Sequence, residues 1–333
     1  MTTEAVVYKG SANGGIVQAK TTFAPPIGKQ VLVRITHSGV CYTDELHKHA
    51  DMVLGHEGVG IVKKIGEAVS QLKVGEIVGW GYIHKTCGVC ENCIRGEDQY
   101  CRTGGVEMYG MSNFHQGSFG TYAVWNEDFL FKVPDGLAPE HAAPLMCGGA
   151  TVFEVIEAYN IRPTDRVGVI GLGGLGHMAV QFLANTGADV VVFSSTDSKR
   201  EEALKLGAKE FHATKGVEQF EGVRKLDHLI VTSNILADWQ PFLGIMKPRG
   251  TIYPITISPS NLVVPAMSVV TGGIRIQGTV VAGRTVQKRM LEFAARNGIA
   301  PLIETFPLTK KGIEEGMQKL RDGKVRYRAV LVA

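Results

Sequence analysis

Arg166-Val167-Gly168-Val169-Ile170-Gly171-Leu172-Gly173-Gly174-Leu175-Gly176-His177 runs from an apolar strand through a glycine-rich turn into a helical stretch. The turn has the spacing GxGxxG, and the strand before it and helix after it are the setting in which that spacing binds a dinucleotide. Gly171 permits the tight turn, Gly173 admits a pyrophosphate close to the backbone, and Gly176 lets helix and strand pack together. Gly174 and Leu175 complete the loop whose amides, with the helix N-terminus, face the phosphates.

Outward from this turn, helical stretches at 152–159 and 177–186 alternate with apolar strands at 166–170 and 189–193. The alternation implies βαβ units, a doubly wound parallel sheet and an α/β class of fold. Apolar runs at 226–231 and 250–255 continue the strand series, 286–297 has helical character, and 325–332 closes as a strand. About 20 residues beyond the turn, an acidic side chain would bind a ribose 2′-hydroxyl. Here the chain reads Ser194-Ser195-Thr196-Asp197-Ser198-Lys199-Arg200. Hydroxyls at Ser194, Ser195 and Thr196 can bond a 2′-phosphate and Lys199, with Arg200, can neutralise it, so NADP(H) is expected over NAD(H). Asp197 would repel the phosphate if it turned inward; its place past the strand end points it to solvent or to a helix cap.

Before about residue 133 the pattern is different, with short β-branched runs cut by glycine and proline, as in Gln30-Val31-Leu32-Val33-Arg34-Ile35. A compact all-β unit is expected there. It carries five of the six cysteines. Cys87, Cys90, Cys93 and Cys101 form a CxxCxxCx7C cluster suited to a closed tetrahedral zinc site. A disulfide framework is the other reading of such a cluster, but it belongs to short secreted chains. The acidic neighbours Glu91, Glu97 and Asp98 argue against a nucleic-acid ribbon. Cys41, His56 and Cys147 make a Cys2His set with an open fourth position, the pattern of catalytic zinc. In Cys41-Tyr42-Thr43-Asp44, the Thr43 hydroxyl could pass a proton and Asp44 could orient His56 from behind.

The chain has 333 residues, 44% hydrophobic and 20% charged, with a net charge of +3 and interspersed signs. Two domains with sizeable cores are expected, and neither nucleic acid nor a membrane surface is indicated as a partner. The opening Met1-Thr2-Thr3-Glu4 lacks the regions of a signal peptide, and no run of about 18 apolar residues occurs. A reducing, cytoplasmic location is the expectation.

Cys41-Tyr42-Thr43-Asp44, Gly55-His56-Glu57-Gly58-Val59-Gly60, the four-cysteine lobe, Pro144-Leu145-Met146-Cys147-Gly148-Gly149 and the glycine turn together resemble the zinc-dependent alcohol dehydrogenases of the medium-chain dehydrogenase/reductase superfamily. The neighbourhood of Cys147, the Ser-Ser-Thr stretch and Val325-Arg326-Tyr327-Arg328 are most similar to the cinnamyl alcohol dehydrogenase branch. The resemblance implies a GroES-like β-rich catalytic domain at 1–144 and 284–333, with a structural zinc lobe near 84–103, and a Rossmann cofactor domain at 145–283. It implies two zinc ions per chain, one catalytic and one structural, and a homodimer or homotetramer joined at Rossmann edges, with 274–278 as a candidate edge. Glu57 is expected behind the catalytic zinc, and Arg328 at the cofactor pyrophosphate.

One departure concerns the proton relay. Between Cys41 and His56 the chain is several residues shorter than is usual in the family, and position 46, where relatives carry a relay histidine, is Leu46. His47 is the candidate replacement and His49 a weaker one; His84, His115, His141 and His228 are expected to be structural. The activity implied is hydride transfer between NADP(H) and a primary alcohol or aldehyde at the metal, the substrate being aromatic, cinnamyl-like or medium aliphatic. Trp80, Tyr82, Ile83 or Phe114 could wall its pocket. An iminium or conjugated-alkene reductase, and a nucleotide-binding protein without catalysis, are the alternatives.

Overall fold

The computed structural model describes residues 1–233, 239–257 and 261–333. They form two compact units, Met1–Ala150 with Val281–Ala333, and Thr151–Val280. The first is β-rich and the second is a parallel-sheet α/β unit.

In the first unit a seven-stranded sheet runs in the order Ile303–Pro307, Arg328–Val332, Gln30–Val40, Gly58–Ile65, Ile77–Trp80, Phe131–Lys132, with Tyr122–Asn126 also paired to Gln30–Val40. All its pairings are antiparallel except that of Ile303–Pro307 with Arg328–Val332. The β-branched run that marks the strand in the sequence supplies Val31, Val33 and Ile35 to a core shared with Val62, Val78, Trp80, Trp125 and Leu331. Fully burying side chains of this size contributes about 1.5–3 kcal/mol each. The four-cysteine lobe lies between Ile83–Lys85 and Glu107–Met108, two short strands that pair antiparallel.

In the second unit six parallel strands are ordered Glu210–Ala213, Asp189–Ser194, Arg166–Ile170, Leu226–Val231, Met246–Pro254, Arg275–Ile276. Every residue of Arg166–Ile170 is buried, as a central strand covered on both faces requires. The helix Gly176–Thr186 leads from that strand to Asp189–Ser194, while Leu226–Val231 lies on its other side. The order therefore reverses at the carboxyl end of Arg166–Ile170, where this architecture binds its ligands.

The boundary differs from the expected 144/145 by six residues, and the difference places Cys147 in the β-rich unit. Its turn, Leu145–Gly149, is fixed there by Met146, whose sulfur lies 3.6 Å from the Gln287 amide. The helix Arg284–Asn297 that carries Gln287 buries Met290, Leu291 and Ala294 as well. No helix among the described residues is long and apolar enough to cross a membrane.

Candidate functional site

Three separate elements bring four potential metal donors together. Cys41 caps the short helix Tyr42–His47, His56 and Glu57 precede the strand Gly58–Ile65, and Cys147 sits in the π-turn Leu145–Gly149. One ligand atom from each of Cys41, His56, Glu57 and Cys147 lies within 4.8 Å of the others.

The orientation of His56 is over-determined. Asp44, fully buried, accepts at Oδ1 from His56 Nδ1 at 3.2 Å, from the Gly55 amide at 3.2 Å and from the Tyr109 hydroxyl at 2.7 Å. Its Oδ2 accepts from the Cys41 amide at 2.8 Å. With Nδ1 held by Asp44, the imidazole points Nε2 at the thiols, and Nε2 has no hydrogen-bond partner although it is fully buried. Such a nitrogen is costly unless something accepts its lone pair, and two thiols and a carboxylate beside it are the donor set that zinc takes. The site thus fits the ion. A hydrogen bond with Cys147, opposed by burial and helped by His56, holds the Cys41 thiol well below the usual range.

Glu57 and Arg328 form an ion pair inside the same unit, Glu57 wholly buried and Arg328 nearly so. Burial pushes the Glu57 carboxyl up to about 7, with the Arg328 guanidinium working against that shift. Glu57 fits only because residue 39 is glycine: a Cβ there would collide with the Glu57 carboxylate. Arg328, expected at the cofactor pyrophosphate, has its guanidinium committed to Glu57, with Nε buried and unpartnered.

Thr43 places its hydroxyl 3.6 Å from the Cys41 sulfur. The ring of His47 stands edge-on to Tyr109, centroids 5.3 Å apart, and burial lowers its pKa. His49 is exposed, with Nδ1 3.2 Å from the Ala12 carbonyl. Of the aromatic wall, only Tyr82 reaches the donors, edge-on to His56 at 5.5 Å. Trp80 belongs to the core, Ile83 is buried against Phe129 and Val281, and Phe114 is half-exposed. Sequence reasoning missed Tyr109, which follows the lobe and tilts over His56 at 4.5 Å. A single aromatic in Met108-Tyr109-Gly110 carries no spacing that could have marked it.

The sulfurs of Cys87, Cys90, Cys93 and Cys101 also lie within 4.8 Å of one another, and all six cysteines are free thiols. Cys87 and Cys93 are 3.8 Å apart and Cys90 and Cys93 3.5 Å. Zinc–sulfur bonds of about 2.3 Å put tetrahedral sulfurs about 3.8 Å apart, so the set needs little movement to close on an ion. Gly88 and Gly96, at φ 72° and 83°, turn the backbone around it.

In the α/β unit, Gly171 has φ 90°, which a side chain would strain, and a Cβ on Gly176 would meet the Gly171 carbonyl. A Cβ on Gly173 would meet nothing, so this position stays open for close approach of a phosphate. Ser194 ends its strand, and Ser195 and Thr196 are exposed beyond it. Lys199 Nζ donates to the Leu172 carbonyl at 2.8 Å, which brings its charge to the glycine turn. Asp197 does not cap a helix: its Oδ1 takes Arg200 Nη2 at 2.6 Å and Nε at 3.0 Å. That pairing spends the guanidinium of Arg200, which also lies over Phe211, and leaves Lys199 as the cation at the turn.

Residues 28–135 match the alcohol dehydrogenase GroES-like domain and residues 174–296 the zinc-binding dehydrogenase domain. A probable formaldehyde dehydrogenase of Bacillus subtilis is 33% identical over 314 residues, covering 90% of this chain and 89% of its own. The solved cinnamyl alcohol dehydrogenase of Sorghum bicolor is 33% identical with a TM-score of 0.89, covering 99% of this chain and 98% of its own. That of Helicobacter pylori, solved with NADP(H), is 25% identical with a TM-score of 0.89, covering 100% and 99%. A GroES-like unit with a cysteine–histidine centre and a Rossmann unit with a glycine turn define the medium-chain dehydrogenase/reductase class. Within it, the chain belongs to the zinc-type alcohol dehydrogenases and resembles their cinnamyl alcohol dehydrogenase-like branch.

Proposed function

We propose that the chain is an NADP(H)-preferring aldehyde reductase and alcohol dehydrogenase for aromatic, cinnamyl-like or medium aliphatic primary substrates. The observation that carries this reading is the buried, unpartnered Nε2 of His56, aimed with Cys41 and Cys147 by the hydrogen bonds on Asp44. Cys41, His56 and Cys147 would hold a catalytic zinc, and Cys87, Cys90, Cys93 and Cys101 a structural one. When bound, zinc supplies a Lewis acid for the carbonyl oxygen and the nicotinamide supplies hydride to its carbon.

Reduction also needs a proton at oxygen. Thr43, beside the Cys41 sulfur, is the hydroxyl that delivers it, and His47 relays a proton from solvent to replenish Thr43, the same path carrying the proton outward when the alcohol is oxidised. The turn at 171–176 takes the pyrophosphate. Ser194, Ser195, Thr196 and Lys199 take the 2′-phosphate, a reading supported by the pairing of Asp197 with Arg200. The complex of the Helicobacter pylori relative with NADP(H) supports the same choice. A second copy would add its strand at the open sheet edge Arg275–Ile276, giving a dimer or, by further pairing, a tetramer.

The test follows NADPH and NADH oxidation by zinc-loaded protein across a panel of aldehydes. Expected are chelator-sensitive turnover and an NADPH advantage of about tenfold or more in kcat/KM, as lost charged hydrogen bonds imply. Equal use of NADH would sink the cofactor assignment. Cys147→Ser should remove one zinc per chain and all turnover while NADPH still binds; loss of binding as well would mean misfolding. NADPH binding without reduction of any aldehyde would favour the iminium or conjugated-alkene reductase.

A further inference from the structure

The four-cysteine lobe is flanked by Tyr82 and Tyr109, and the Tyr109 amide donates to the Tyr82 carbonyl at 2.9 Å. Both rings pack on His56, Tyr82 edge-on at 5.5 Å and Tyr109 tilted over it at 4.5 Å. Only Tyr109 also bonds. It is 2% exposed, its hydroxyl donates to Asp44 Oδ1 at 2.7 Å, and the Tyr109 hydroxyl oxygen accepts from the Gly55 amide at 3.1 Å. Tyr109 thus touches the side chain that orients His56, the backbone that precedes it and the face of its ring.

We propose that Tyr109 is a positioning residue for the metal centre, holding the Asp44 carboxylate and the His56 ring in the one arrangement that points Nε2 at the thiols. This rests on the reading of Cys41, His56 and Cys147 as zinc ligands. The geometry implies a division of labour: Asp44 sets the imidazole's direction, and Tyr109 fixes Asp44. Without the hydroxyl, Asp44 Oδ1 keeps two weaker partners at 3.2 Å, and the Gly55 amide loses its closer acceptor. Because Tyr109 continues the Glu107–Met108 strand that closes the lobe, the lobe fixes where its hydroxyl falls.

Tyr109→Phe keeps the ring and removes the hydroxyl. The outer hydrogen-bond partner of a metal ligand, here Asp44 on His56, typically carries tenfold or more in metal affinity, and Tyr109 acts through that partner. Zinc at the catalytic site should therefore leave for a chelator about tenfold faster than in the parent protein. Release from the four-cysteine site should not change. With cobalt in the catalytic site the visible ligand-field bands should shift, a signature that a purely structural role would not produce. Parent-like release and spectrum in the folded variant would overturn the proposal alone. Should Tyr109→Phe fail to fold, 3-fluorotyrosine at 109, which retains the shape and changes the phenol's acidity, takes its place. Shifted bands then support the proposal and parent-like bands overturn it. If the parent retains one zinc per chain, or Cys147→Ser loses none, the metal-centre reading has failed and this proposal with it.

Discussion

His84 is almost fully buried against Trp125, ring centroids 4.0 Å apart, and burial lowers its pKa to about 3. The native imidazole stays neutral while the same group in the unfolded chain takes up a proton below about pH 6.5. The unfolded state then binds more protons than the native one, so stability must fall as pH drops through that window toward 3. By pH 5 the loss from this one residue should reach about 2 kcal/mol. His84→Phe should flatten the decline in urea unfolding free energy between pH 6.5 and 5 relative to the parent. An unchanged slope would show that His84 is not the group being titrated.

At the scale of elements, the lobe is fastened to the helix Arg284–Asn297 by one carboxylate. Asp98, fully buried, accepts from the Arg284 backbone amide at 2.9 Å, from its Nε at 3.0 Å and from its Nη2 at 2.9 Å. Asp98→Asn keeps the shape and loses the charge, so stability of the metal-loaded protein should fall by about 2 kcal/mol, read from the denaturant midpoint. A midpoint within error of the parent would mean that the neutral amide suffices. Elements of this kind were unequally legible in the sequence. The four-cysteine cluster is local, so its spacing alone announces it, and the glycine turn is flanked by the strand and helix that give it meaning. The Asp98–Arg284 pair spans 186 residues, Tyr109–Asp44 65, and Glu57–Arg328 271. Nothing in the periodicity of a strand or helix says which distant side chain will meet another, so only ligand-type residues with family-like neighbours could be named in advance. Arg200 shows a different limit: its charge was legible, but its capture by Asp197 depends on the turn Asp197–Lys199 that brings them together.

Across the whole molecule, the β-rich unit is made of two chain segments and the α/β unit of one. The strand Arg328–Val332 lies between Ile303–Pro307 and Gln30–Val40, so removing it exposes a sheet edge and also removes the partner of Glu57. A fragment of residues 1–150 should therefore lack cooperative unfolding and retain no metal at Cys41, His56 and Cys147. A fragment of residues 151–280 should fold and bind NADPH. Cooperative melting of the 1–150 piece, seen by circular dichroism, would refute the dependence on the later segment.

The same discontinuity orders events in time. On a ribosome, about 180 residues are added between Cys147 and the closing strand, which at ordinary synthesis rates takes about 10–40 s. Throughout that interval the two cysteines and the histidine wait without the strand that completes the sheet and brings in Arg328. If these residues take a metal, its capture in final form is a late act of biogenesis, completed only when the closing strand arrives.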